Sequence, residues 1–226
     1  MTSKQLAWLI RRHGIEMTHL SCGSHIGAIF SLAEIMATLY TGVLNVNPAE
    51  PKMPTRDRLI LSKGHAGASV YAALAERGFF PVEELVTLRR FDSRLQGHPD
   101  MKGVPGVDMS TGSLGQGIST ACGMALAAKL DKSDRRVWAL VGDGEAEEGQ
   151  VWEAAMLAAH RKLDNLVVIV DNNNLQIDGE VSKVMSVYPI VDKFESFGWN
   201  VTTCDAHDFD SIHAAFEKTN EKNGKP

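Results

Sequence analysis

The stretch "VGDGEAEEG", residues 141–149, places four carboxylates and three glycines in nine positions, directly after the apolar run "VWAL". Thirty residues separate its Asp143 from Asn173, which lies in a second polar turn, "DNNNLQIDG" (171–179), again after an apolar run, "VVIV". Between them "EGQVWEAAMLAAHRKL" has the apolar spacing of a helix. A short all-apolar strand, a turn, a crossover helix and a second such strand form a parallel unit, and all-apolar strands imply a sheet buried on both faces.

The same alternation extends in both directions. "KQLAWLIRRHGIEM" and "SHIGAIFSLAEIMATLYTGVL" have helical spacing, and Ser24 is placed to cap the second. "RLILS" is a short strand, followed by a helix from about Ala66 to Arg77 that stops at Gly78. Pro81 opens a further short helix, and residues 96–112, rich in Gly, Pro and Asp, form a loop long enough to be functional. "LGQGISTACGMALAAKL" is a small-residue helix. After the second polar turn come a helix in "YPIVDKFESFGW", a strand in "NVTTC" and a last helix near "FDSIHAAFEKTN". The expected fold is α/β, a parallel sheet covered by helices on both faces, with residues 1–226 as one domain.

Composition narrows the function. With 226 residues, 44% of them apolar, the chain can bury one substantial core. Net charge is −5 with no block of like charge, which argues against nucleic acid as a partner. No apolar run approaches the ~20 residues of a membrane span, so no membrane association is expected. Cys22, Cys122 and Cys204 are odd in number and widely spaced, which points to a reducing, cytoplasmic compartment.

Ligands of such sheets sit outside the carboxyl ends of the strands, where both polar turns lie. The first turn lacks the Lys-Ser/Thr of a phosphate loop, and its glycines do not make a dinucleotide fingerprint. A glycine-rich turn suits an anion, whereas clustered carboxylates repel one. A divalent cation reconciles the two: Asp143 offers a charged oxygen, Asn173 a neutral one, and Mg²⁺ so held keeps positions for diphosphate oxygens. The plain reading is two polar turns at strand ends, where Gly, Asp and Asn are common. Glu145 and Glu147 are read as solvated, and the stripe Trp152, Met156, Ala159 as core.

Residues 142–174, "GDGEAEEGQVWEAAMLAAHRKLDNLVVIVDNNN", resemble the thiamine-diphosphate motif, which opens Gly-Asp-Gly and closes on paired asparagines. Decarboxylases, 2-oxo acid dehydrogenases and transketolases share it. Further stretches, in order, narrow the resemblance: "SCGSHIGAIFSLAEIMATLY", "DRLILSKGHAGASVYAALAERG", "LQGHPD", "TGSLGQGISTACGMALA" and "LQIDG". Together they resemble the amino-terminal, diphosphate-binding module of transketolase over residues 4–220. The resemblance implies a thiamine-diphosphate-binding fold and transfer of a two-carbon ketol unit from a ketose or ketose phosphate to an aldose. It implies Mg²⁺, with Ca²⁺ or Mn²⁺ able to replace it, on Asp143, Asn173 and the backbone carbonyl of Leu175. The implied cofactor contacts are His65, Gly112, Ser113, Leu114, Asp143, Gly144, Asn173 and Ile177. His25, His65 and His98 are the implied catalytic groups, a task suited to imidazole because it titrates near neutrality. Glu148 matches a subunit-interface carboxylate. His13, His19, His160, His207 and His213 fit no motif and are read as surface or partly buried.

Two features depart from the family. His25-Ile26-Gly27 stands where His-Pro-Gly is common, and the sequence ends at "EKNGKP", where full-length transketolases continue into another strand and a second α/β module. That module supplies the glutamate that activates the aminopyrimidine. The expectation is a split transketolase lacking a C-terminal tail, paired with a pyrimidine-binding C-terminal subunit in a heterotetramer of two plus two chains. The alternatives are the α subunit of a 2-oxo acid dehydrogenase and a catalytically silent thiamine-diphosphate-binding protein.

Overall fold

The structure, a computed structural model, describes residues 1–226. In chain order it opens with α1 (Ser3–Leu20), α2 (Ile26–Ser31), α3 (Ala33–Thr38), β1 (Arg58–Leu61) and α4 (Gly67–Glu76). α5 (Gln116–Leu130), β2 (Val137–Gly142), α6 (Gly149–His160) and β3 (Leu166–Asp171) follow. The remainder is a small hairpin, β4 (Leu175–Gln176) and β5 (Gly179–Glu180), then α7 (Val181–Val184), α8 (Ile190–Ser196) and α9 (Phe209–Lys218). No helix is long and apolar enough to cross a membrane.

The three main strands are parallel in the order β1-β2-β3. Leu59 lies beside Trp138, and Trp138 beside Val167. β2 is buried at every residue, as a central strand covered on both faces must be. Alternation along the strands then builds two cores. Trp138 and Leu140, with Leu59 and Leu61, join the core made with α1, α3, α4 and α9. Val137, Ala139 and Val141, with Ile60, join the one made with α5, α6 and α8. Each fully buried Leu or Ile contributes about 1.5–3 kcal/mol, so these two layers dominate the fold's stability.

Local chemistry sets the helix positions. Thr2 and Gln5 form a reciprocal capping box at the start of α1. Gly14 lets α2 approach, because a Cβ there would meet Ile29 Cγ2 at 2.8 Å. α5 presses on the end of β1 in the same way: a Cβ on Gly117 would lie 2.7 Å from Ser62 Cα.

The structure corrects several expectations. The second helix is three pieces: α2, α3 and a π-helical turn over Leu39–Val43. Ser24 does not cap it; α2 follows His25, and no side chain makes a capping hydrogen bond. On α6 the buried face is Val151, Ala154, Ala155 and Ala158, whereas Met156 is half exposed. Trp152 lies at the margin, donating its indole N–H to the Ala146 carbonyl and packing against Phe194. "NVTTC" is not a strand. With β3 it lines a cleft of about 840 Å³, through Val168 and Val170 on one side and Val201 and Thr203 on the other, and no ladder joins the two.

The two glycines of α5 give a test with opposite signs. Gly117→Ala should destabilise the chain by about 1–3 kcal/mol through overpacking against Ser62. At Gly123, an added Cβ meets nothing within 4 Å, and Gly123→Ala should stabilise by about 0.5–1 kcal/mol through helix propensity. Urea unfolding of both variants checks the pair.

Candidate active site

Because the strands are parallel and in register, their carboxyl ends open onto one edge. Ser62, Lys63 and His65 follow β1, Asp143 follows β2, and Asp171 to Leu175 close and follow β3. The loop before α5 brings His98 and Gly112 to the same edge, with a Cβ on Gly112 meeting the His98 ring at 3.2 Å. Tyr71 holds that loop by donating to the carbonyls of Gln96 (3.0 Å) and His98 (2.9 Å).

Asp143 is 1% exposed. Its carboxylate accepts the amides of Gly144 (2.9 Å) and Asn174 (2.6 Å), and no lysine or arginine forms an ion pair with it. Burial pushes its pKa up, the two amides oppose the rise, and the nearby Asp171 adds to it. Tyr188 donates to Asn172 Oδ1 (2.7 Å) beside this carboxylate. Asn173 Oδ1 accepts the Leu175 amide at 2.8 Å.

Asp171 is also buried but is neutralised directly, with Lys63 Nζ 2.5 Å from its Oδ2. Ser31 Oγ donates to its other oxygen at 2.6 Å, and Asn173 Nδ2 donates to Oδ2 at 3.2 Å. Glu145, read from the sequence as solvated, is instead 2% exposed. It accepts Ser62 Oγ (2.5 Å) and the amides of Gly115 (2.8 Å) and Gly142 (3.1 Å). Glu147 lies farther out and accepts Gln176 Nε2 at 3.1 Å.

The three motif histidines come together. Ring centroids of His25 and His65 are 5.2 Å apart, and those of His25 and His98 are 6.5 Å apart. Burial lowers the pKa of His65 to about 4, reinforced by the positive charge of Lys63. Burial lowers that of His25 as well, with His98 and Arg89 contributing. Both rings are therefore neutral at pH 7. Two other histidines lie against carboxylates: His13 is buried against Glu76 at 2.7 Å, and His207 Nδ1 lies 3.1 Å from Glu34.

Of the remaining candidates, Ser113 and Leu114 are exposed on the loop before α5. Leu175 and Ile177 are 63% and 94% exposed on the hairpin. Glu148 is exposed at the start of α6, against Gly115, where a Cβ would meet its Cβ at 2.9 Å. Gly144 is required by the hairpin, since a Cβ there would meet Gln176 Cβ at 2.9 Å. Gly142 has no such constraint; its nearest neighbours would be 3.8 Å away. Sequence reasoning missed Ser62, Lys63, Glu145 and Asp171 as members of this edge. Lys63, a charge directly after an apolar strand, was the one available signal.

The family described as "Transketolase, thiamine diphosphate binding domain" matches residues 2–226. The chain belongs to this family. It is 46% identical over 202 residues to a 6-deoxy-6-sulfo-D-fructose transketolase subunit of Clostridium sp. (strain MSTE9), covering 89% of this chain and 74% of that one. It is 40% identical over 216 residues to an apulose-4-phosphate transketolase subunit from Phocaeicola vulgatus, covering 96% and 76%. Transketolase from Campylobacter jejuni superposes with a TM-score of 0.94 at 35% identity, covering 99% of this chain and 36% of that one. The chain thus spans about a third of that solved transketolase.

The residues present could hold a divalent cation and, through it, a diphosphate. Asp143 is a buried anion without a cation, which is costly unless a charge partner arrives. The neighbouring donors are the amide oxygen of Asn173 and the Leu175 carbonyl, hard neutral oxygens of the kind Mg²⁺ accepts together with one carboxylate and phosphate oxygens.

The depressed His65 pKa gives a pH signature. The unfolded imidazole, near 6.5, binds a proton that the folded one resists down to about 4. Stability therefore falls as pH drops below 6.5. Allowing for solvent screening of a partly exposed ring, His65→Gln should remove about 1 kcal/mol of the loss between pH 6.5 and 5. Urea melts of both proteins at the two pH values measure the difference.

Proposed function

We propose that this chain is the diphosphate-binding subunit of a two-chain transketolase, one domain over residues 1–226, transferring a two-carbon ketol unit from a ketose to an aldose. The observation that carries the reading is the meeting of three histidines with a cation-free buried carboxylate, Asp143, at one sheet edge. In this reading Asp143, Asn173 and the Leu175 carbonyl hold Mg²⁺, and His65, Gly112, Ser113, Leu114, Gly144 and Ile177 line the cofactor. Bound thiamine diphosphate supplies the electron sink that carries the two-carbon unit. His25 and His98 orient the donor's hydroxyls and move protons; His25 is poised to accept one because its ring is neutral at working pH.

The relatives named as subunits motivate the partner, a pyrimidine-binding chain in an assembly of two plus two. Leu114, Leu175 and Ile177 leave apolar surface exposed around this edge, and such surface marks an interface; Glu148 belongs to it. The substrates in the relatives' names, a 6-sulfo ketose and a ketose 4-phosphate, suggest a ketose with an anionic far end. The compartment in this reading is the cytoplasm. A 2-oxo acid dehydrogenase α subunit is disfavoured by the histidine cluster and by the family match.

The purified chain, given Mg²⁺, thiamine diphosphate, a ketose phosphate and an aldose, should be inactive and should turn over only with its partner. Robust activity of the chain alone would refute the split reading. In the assembled enzyme Asp143→Ala should abolish cofactor binding without unfolding the chain, a loss of about 3–5 kcal/mol. Isothermal calorimetry reads it, and unchanged affinity would remove Asp143 from the metal site.

A further inference from the structure

We infer that Glu145 is a positioning residue for the diphosphate end of the cofactor, acting as a buried clamp that fixes the three segments around it relative to one another. The inference rests on the reading of this edge as the diphosphate site. Glu145 starts the short 3-10 turn Glu145–Glu147, and its side chain turns inward while Glu147 and Glu148 face outward. Its partners belong to three different segments. Ser62 begins the link from β1 to Lys63 and His65, Gly115 closes the loop bearing Gly112–Leu114, and Gly142 immediately precedes Asp143.

All three partners are donors. A carboxylate, which only accepts, matches all of them; an amide would turn an N–H₂ toward at least one N–H or O–H. No cation shares the carboxylate, because Lys63 is committed to Asp171. The three donors are therefore its direct contacts, and Lys63 favours the charge only through space.

The surrounding packing leaves these segments little room to adjust. A Cβ on Gly64 would lie 2.7 Å from Gly112 N, and one on Gly117 would lie 2.7 Å from Ser62 Cα. Ser113 and Leu114 are exposed, so burial does not hold the loop tip. The Gly115 hydrogen bond to Glu145 anchors its base. Binding groups must be held to about 0.5 Å to be productive, and this clamp sets the spacing between Gly112–Leu114 and Asp143. Glu145 itself touches neither cofactor nor substrate in this assignment.

The test titrates thiamine diphosphate with Mg²⁺ into the enzyme assembled from this chain and its partner, by calorimetry, for wild type, Glu145→Gln and Ser62→Ala. Glu145→Gln should weaken cofactor binding about tenfold to a hundredfold, the range for lost hydrogen bonds to a charged group. Ser62→Ala, which removes one donor of three, should weaken it by a smaller factor. The maximal rate at saturating cofactor should fall less than the affinity. Lower melting temperatures with unchanged cofactor affinity in both variants would make Glu145 merely structural and overturn the inference. If Glu145→Gln does not fold, Ser62→Ala decides on the same readout. Absence of binding by the wild-type assembly would instead overturn the cofactor reading itself, and the clamp with it.

Discussion

Three carboxylates are buried at one edge of a three-stranded parallel sheet, and the site is built by the different ways in which they are satisfied. Asp171 has Lys63 at 2.5 Å. Glu145 has three neutral donors. Asp143 has two backbone amides and no cation. Buried charge is tolerated only when it is paired or hydrogen-bonded, so the three solutions rank the groups by what each still lacks. The first two are internally complete and act as framework. Asp143 and Glu145 both lack a cation partner, and Asp143 has fewer close donors, the amides of Gly144 and Asn174.

The sheet's register is what forces these groups together. Gly142 and Asp171 end level with each other and Leu61 ends two residues earlier in the register, so three turns far apart in sequence share one edge. The same crowding sets the state of the histidines. Lys63 neutralises Asp171, yet its positive charge also disfavours protonation of His65, and burial pushes in the same direction. A framework ion pair thereby helps to keep an imidazole neutral at pH 7.

A cleft of about 840 Å³ runs along the outer edge of β3, and none of His25, His65 and His98 lines it. The histidine edge is open, and the apolar residues beside it, Leu114, Leu175 and Ile177, face solvent. Exposed apolar surface of this kind marks an interaction site.

The sequence by itself determined the fold class and the main ligand candidates. Alternating short apolar strands and amphipathic helices specify a covered parallel sheet, and strand ends specify where ligands go, because both follow from periodicity and chain direction alone. Other features were decided only by tertiary contacts. Glu145 reads as one more acid in an acidic turn, and its burial depends on Ser62 and Gly115, 83 and 30 residues away. "NVTTC" has strand composition, but a strand needs a ladder, and its one long-range backbone bond is from the Asn200 amide to the Pro226 carbonyl at 2.9 Å. On α6 the residues that enter the core are Val151, Ala154, Ala155 and Ala158, and Trp152 packs at its margin against Phe194 and Phe197. Periodicity fixes which residues share a face. Which carboxylate faces a lysine and which face only neutral donors is set by long-range packing.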